Sequence, residues 1–252
     1  MHKSALLNLW FLGCVVIWPH HLAAETRKAS AASYVELGDK WASQKDFSRA
    51  IKTYSIALQF SPDFAAAYFK RGLARHAMGD FSEAIADFSK TLEIIPGCAE
   101  AYANRGFAHA LQQEDAEALA DWKSALEINP RLTTALYDRA NLRLNRGDLD
   151  GALADFDQAL RSDPTYAMAY NNRGVVKLGK GDIEGAIADF DRAIKLNPRT
   201  PEAYVNRGIV RLTQGRRIEA DRDFARSIAL NPSVRNFLEK RIAQINSVVG
   251  TR

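Results

Sequence analysis

Apolar and polar positions in residues 31–234 recur with a fixed period of 34. Ala167–Thr200 is a representative unit. Its Tyr170, Gly174, Ala186, Phe190, Ala193 and Pro198 stand at the fourth, eighth, twentieth, twenty-fourth, twenty-seventh and thirty-second places. Six units keep this register without a gap: 31–64, 65–98, 99–132, 133–166, 167–200 and 201–234. The twentieth place is always alanine (Ala50, Ala84, Ala118, Ala152, Ala186, Ala220). The twenty-fourth is always aromatic (Tyr54, Phe88, Trp122, Phe156, Phe190, Phe224). The thirty-second is always proline (Pro62, Pro96, Pro130, Pro164, Pro198, Pro232). Such a period marks a repeat array whose units bury their apolar faces on their neighbours.

Within each unit the pattern predicts two helices. The first opens near the Ala-Tyr pair and ends at a turn such as Gly179–Asp182, where Gly79, Gly147, Gly181 and Gly215 suit a left-handed helix stop. Asp80, Asp148 and Asp182 follow as acceptors for the next helix start. The second helix places apolar residues three and four apart, as in Ile187, Phe190 and Ile194, until the proline removes an N–H donor. Gly38, Gly72, Gly106, Ala140, Gly174 and Gly208 at the eighth place leave room for close helix approach beside the aromatic. Residues 235–252 predict a capping helix and tail, with Phe237, Leu238, Ile242 and Ile245 on one face.

Two places vary together. Arg71, Arg105, Arg139, Arg173 and Arg207 hold the seventh place in repeats two to six, and Asp87, Asp121, Asp155, Asp189 and Asp223 hold the twenty-third. Repeat one has Leu37 and Thr53 instead. This predicts structural ion pairs between the two helices of a unit, because a planar guanidinium suits a bidentate carboxylate.

Charge adds little to that picture. The chain holds 34 Lys and Arg against 30 Asp and Glu, a net +4, with both signs interspersed. No clustered basic footprint points to nucleic acid. Residues 1–24 are different: Met1-His2-Lys3 precedes the apolar run Ala5–Trp18, and Leu22-Ala23-Ala24 offers a cleavage site before Glu25. The layout predicts a signal peptide, a polar linker at 25–30 and export to the bacterial periplasm. An uncleaved anchor, or a lipidated Cys14 within Phe11–Cys14, are the alternatives. Past the leader the one cysteine is Cys98, so packing rather than a disulfide must hold the fold.

Over residues 31–234 the chain resembles the tetratricopeptide repeat (TPR) family. The resemblance implies an all-α, right-handed superhelix (an α-solenoid) of six helix-turn-helix repeats, here with a C-terminal capping helix. It also implies a concave groove lined by the first helices, which binds an extended peptide or a helix of a protein partner. Groove-facing places of the family fall on Lys70, Asn104, Asp138, Asn141, Met168, Asn171, Asn172 and Asn206, with Tyr137 and Asn145 beside them. Asn104, Asn172 and Asn206 at the sixth place resemble the asparagine ladder of O-linked N-acetylglucosamine transferases, which holds a peptide main chain. Lys70 and Asp138 depart from that column. No window matches the TPR arrangement that clamps a C-terminal carboxylate.

The eleventh place is mostly basic (Arg75, His109, Arg143, Lys177, Arg211). It reads either as partner to loop acids such as Asp80, Asp148 and Asp182 or as a strip for an anionic polymer. No nucleophile–base set, phosphate loop or metal-ligand spacing is present, and past the leader the histidines are His76 and His109 in different repeats. The expectation is a non-catalytic adaptor or scaffold without cofactor or metal. Its partner is a protein, with a self-assembling structural module as the alternative.

Overall fold

The computed structural model describes the backbone of residues 18–249, with side chains from 25 to 245. The expected leader, residues 1–24 with Cys14, lies outside the fully described residues, as do residues 250–252. Every described element is helical. The described residues form two compact units that divide between Ile94 and Ile95.

The first unit holds α1 (Trp18–Ser43), α2 (Phe47–Phe60), α3 (Ala65–Met78) and α4 (Phe81–Ile94). They pack as two antiparallel pairs, α1 with α2 and α3 with α4. Residues 25–30, expected as a linker, are part of α1. The stretch Glu25–Ser30 contains no glycine or proline, so nothing halts the helix.

The second unit comprises α5 (Ala99–Leu111), α6 (Asp115–Ile128), α7 (Thr133–Asn145), α8 (Leu149–Ser162), α9 (Ala167–Gly179), α10 (Ile183–Leu196), α11 (Pro201–Thr213) and α12 (Arg217–Leu230). A single turn, Pro232–Val234, leads into α13 (Arg235–Val249). Each odd-numbered helix up to α11 packs on the even-numbered helix after it, and α7, α9 and α11 also lie side by side.

The same packing device recurs in both units. A Cβ added at Gly174 would stand 2.6 Å from the Phe190 ring, and one at Gly72 would stand 2.8 Å from Phe88. The missing side chain at the eighth place is therefore the space that the aromatic fills. All of these aromatics are buried. The turn between helices is also shared. Gly79, Gly147, Gly181 and Gly215 have φ of +87°, +78°, +82° and +78°, and Lys45 (+61°) and Gln113 (+63°) take the same left-handed conformation in repeats one and three. Asp46, Asp148 and Asp182 then accept the backbone N–H three residues on, capping the second helix.

The cap differs from expectation in one residue. Leu238 and Ile245 are buried against Val205, Leu212 and Phe224, but Phe237 is 56% exposed. Residues 237 and 238 are a hundred degrees or so apart around a helix, so Leu238 toward the core turns Phe237 out.

Candidate functional site

The arginine–aspartate pairs are built alike in all five repeats. Arg71, Arg105, Arg139, Arg173 and Arg207 each donate from Nε and Nη2 to the two carboxylate oxygens of Asp87, Asp121, Asp155, Asp189 and Asp223, at 2.6–3.0 Å. The aspartates are nearly sealed from solvent. A third guanidinium nitrogen reaches back to the preceding repeat: Arg71 to Ser55, Arg173 to Asp157 and Arg207 to Asp191. This link between repeats is absent from the sequence reading. Its signal is the short polar residue at the twenty-fifth place. The hydrogen bonds that Arg173 donates to Asp189 also raise its pKa above the ordinary value.

The eleventh-place cations converge on the same carboxylates. Arg75 meets Asp87 at 2.7 Å, and Arg143, Lys177 and Arg211 meet Asp155, Asp189 and Asp223 at 2.8 Å. His109 bonds Glu114 at 2.6 Å and lies 3.9 Å from Asp121. Pairing with loop acids is secondary: Arg143 is 3.6 Å from Asp148. One buried carboxylate thus holds two cations in four of the repeats, so the basic column is tied to these aspartates rather than lying free as a strip for an anionic polymer. Two donors per carboxylate meet the cost of burying it, since an unpaired buried charge is strongly unfavourable.

Three of the sixth-place residues, Lys70, Asn172 and Asn206, are tied to the preceding repeat as well. Lys70 of α3 pairs with Asp39 of α1 at 2.5 Å. Asn172 of α9 donates to the Tyr137 hydroxyl at 3.1 Å and to Asn141 Oδ1 at 2.7 Å, both on α7. Asn206 of α11 donates to Asn171 Oδ1 at 3.0 Å, and Asn171 donates to Asn172 Oδ1 at 2.9 Å. In each case the sixth place reaches the fifth or ninth place of the repeat before it. Tyr137, Asn141, Asn171, Asn172 and Asn206 therefore form one continuous chain across three repeats. Asn104 stands outside it, its amide donating to the Glu100 carbonyl of its own helix at 2.7 Å.

Asp138 lacks such partners. The places that serve Asn172 correspond to Ala103 and Phe107 ahead of Asp138, and neither side chain donates a hydrogen bond. Burial pushes its carboxyl up to about 7.

The amide chain borders a cavity of about 460 Å³ over α7, α9 and α11, walled by Leu144, Val175, Val205 and Phe237 with Asn141, Asn171 and Asn206 as polar points. A neighbouring cavity of about 480 Å³ shares Val175, Asn206 and Phe237 and adds Ile209, Lys240 and Arg241. Met168 is on α9, half exposed, and does not line either cavity. The contribution of α13 was missed in the sequence, because its apolar spacing assigns Phe237 to the core.

Two family models match the chain: TPR repeat at residues 38–79 and 178–215, and Tetratricopeptide repeat at residues 69–132 and 137–188. The chain belongs to the tetratricopeptide repeat family. Among solved structures, this TPR protein is similar to YrrB, described as a TPR protein with an unusual peptide-binding site, at 27% identity and a TM-score of 0.57, with 73% of this chain and 95% of that one covered. MamA is 25% identical with a TM-score of 0.59, over 68% of this chain and 93% of that one. PilF of Pseudomonas aeruginosa shares the fold at 15% identity and a TM-score of 0.74, over 82% and 94%. A search of curated proteins found no match. TPR arrays are protein–protein interaction scaffolds and typically non-catalytic, and this chain is one of them. Among the described residues no helix is long and apolar enough to cross a membrane.

Proposed function

We propose that this TPR protein is a non-catalytic adaptor of the bacterial envelope that holds an extended segment of a partner protein in the groove over α7, α9, α11 and α13. The observation that carries the reading is the amide chain from Tyr137 to Asn206 beside two adjoining apolar cavities. Apolar walls supply affinity, and a few fixed amides orient a main chain without reading its sequence. An amide carries two N–H groups and an acceptor oxygen, so Asn206 keeps one N–H and its oxygen for a ligand after bonding Asn171. Similarity to YrrB, described as a TPR protein with a peptide-binding site, supports a peptide as the kind of ligand. The envelope location rests on the apolar leader in residues 5–18 followed by small residues at 22–24.

Site-specific photocrosslinking tests the groove in cells. A photoreactive side chain at position 144 or 237 is expected to capture a protein that the same group at exposed Lys123 on α6 does not. Equal capture from both faces would remove the groove from the account. The mass of the purified chain tests the leader: cleavage after Ala24 predicts a new start at Glu25.

A further inference from the structure

The two cavities over α9 and α11 share a wall but differ in charge. Lys240 and Arg241 of α13 line one, and Glu202 of α11 lines the other. The seventh- and eleventh-place cations of repeats five and six sit on buried carboxylates, with Arg173 and Lys177 held against Asp189 and Arg207 and Arg211 against Asp223. Lys240 and Arg241 are not satisfied in this way: among the described residues neither pairs with a carboxylate, and Arg241 donates only to Gln244 at 2.7 Å. Beside them Phe237 exposes more than half of its surface. Exposed aromatic surface next to unpaired cations matches a ligand that brings an apolar group and an anion together.

We propose that the groove selects a peptide segment carrying one large apolar side chain and an acidic side chain within two residues of it. The apolar side chain packs among Val175, Ile209 and Phe237, and the acid pairs with Lys240 and Arg241. Asn206, in the wall common to both cavities, pairs with the segment's main chain through its remaining N–H and oxygen. Glu202 at the other end repels a second acid there and so sets the direction of the segment. The inference rests on the peptide-adaptor reading and adds the chemistry of the recognised segment.

A positional-scanning library of fluorescent octapeptides, blocked at both termini, provides the test with the full chain. The expected selection is a large apolar residue with aspartate or glutamate within two positions. Lys240→Glu/Arg241→Glu changes two exposed residues, so the fold is retained, and affinity for the selected peptide is expected to fall at least about tenfold. A peptide with lysine in place of the acid is expected to bind that variant better than it binds wild type. Selection of apolar residues alone, with binding lost in Phe237→Ser but unchanged in the charge variant, overturns the acidic preference and leaves the groove reading standing. Binding only by peptides with a free C-terminus overturns it in favour of a terminal carboxylate. Absence of any binding removes both readings.

Discussion

Arg173 grips Asp189 through two parallel hydrogen bonds, Nε to Oδ2 at 2.8 Å and Nη2 to Oδ1 at 2.6 Å, and sends Nη1 to Asp157 of the preceding repeat at 2.7 Å. One side chain therefore fixes a helix pair and the step between repeats. Removing one partner of a buried pair costs about 3–5 kcal/mol, most of it from the stranded charge. Lys177 stays on Asp189 at 2.8 Å, so Arg173→Leu is expected to cost less than that, about 2–3 kcal/mol, in urea unfolding. Repeat one shows a neutral solution, with Leu37 in place of the arginine and the Thr53 hydroxyl donating to the Arg49 carbonyl at 2.7 Å. Arg173→Leu/Asp189→Thr is accordingly expected to recover more than half of the loss. A double variant no more stable than Arg173→Leu would show that the buried carboxylate is not the source of the cost.

Lys45 and Gln113 hold left-handed conformations where four other repeats have glycine. A side chain there costs roughly 1–2 kcal/mol, partly offset by the larger entropy glycine loses on folding. Lys45→Gly and Gln113→Gly are each expected to stabilise the chain by about 0.5–1 kcal/mol on that balance. Gly181→Ala is expected to destabilise. Thermal unfolding of the three variants checks the signs.

At Gly174 an added methyl would lie 2.6 Å from Cε1 of Phe190. Overpacking of this kind costs about 1–3 kcal/mol, so Gly174→Ala is expected to unfold at lower denaturant. Adding Phe190→Leu, which opens space at the contact, is expected to cost less in the Gly174→Ala background than in wild type. Simple additivity of the two changes would count against direct contact as the cause.

Asp138 has its carboxyl pushed up to about 7 by burial. In the unfolded chain a carboxyl of this type titrates near ~3.9, so between the two values the folded chain binds the extra proton. Stability therefore falls as pH rises through that window, by something on the order of a few kcal/mol, and levels off above it. Asp138→Asn is expected to flatten the slope between roughly pH 4 and 7, as read by unfolding at a series of pH values. An unchanged slope would place the titrating group elsewhere.

Much of the fold was legible from residues 31–234. Helix starts, turns and stops depend on groups a few positions apart, and alanine, aromatic and proline recur at fixed places in every unit. The joint change of Leu37 and Thr53 against five Arg–Asp pairs pointed to a contact sixteen residues long in sequence, which the structure contains. The site was less legible. The asparagine column reads as one set of three, but Asn104 turns to its own helix, and the continuous chain runs instead through Asn172, Asn171 and Asn206 with Asn141 and Tyr137.

The residues of each repeat were enough to specify helix pairs, because hydrogen bonding, capping and the glycine–aromatic fit all act within one unit. Contacts between units had to come from the three-dimensional packing. The offset of one helix pair on the next decides that Asn172 meets Tyr137 and Asn141, 35 and 31 residues away, and that Arg173 meets Asp157. It also decides that Arg207 meets Asp191, and that α13 turns Phe237 outward while Leu238 enters the core. Such contacts depend on where the rigid pairs come to rest against one another, and no local pattern of apolar and polar residues encodes that position.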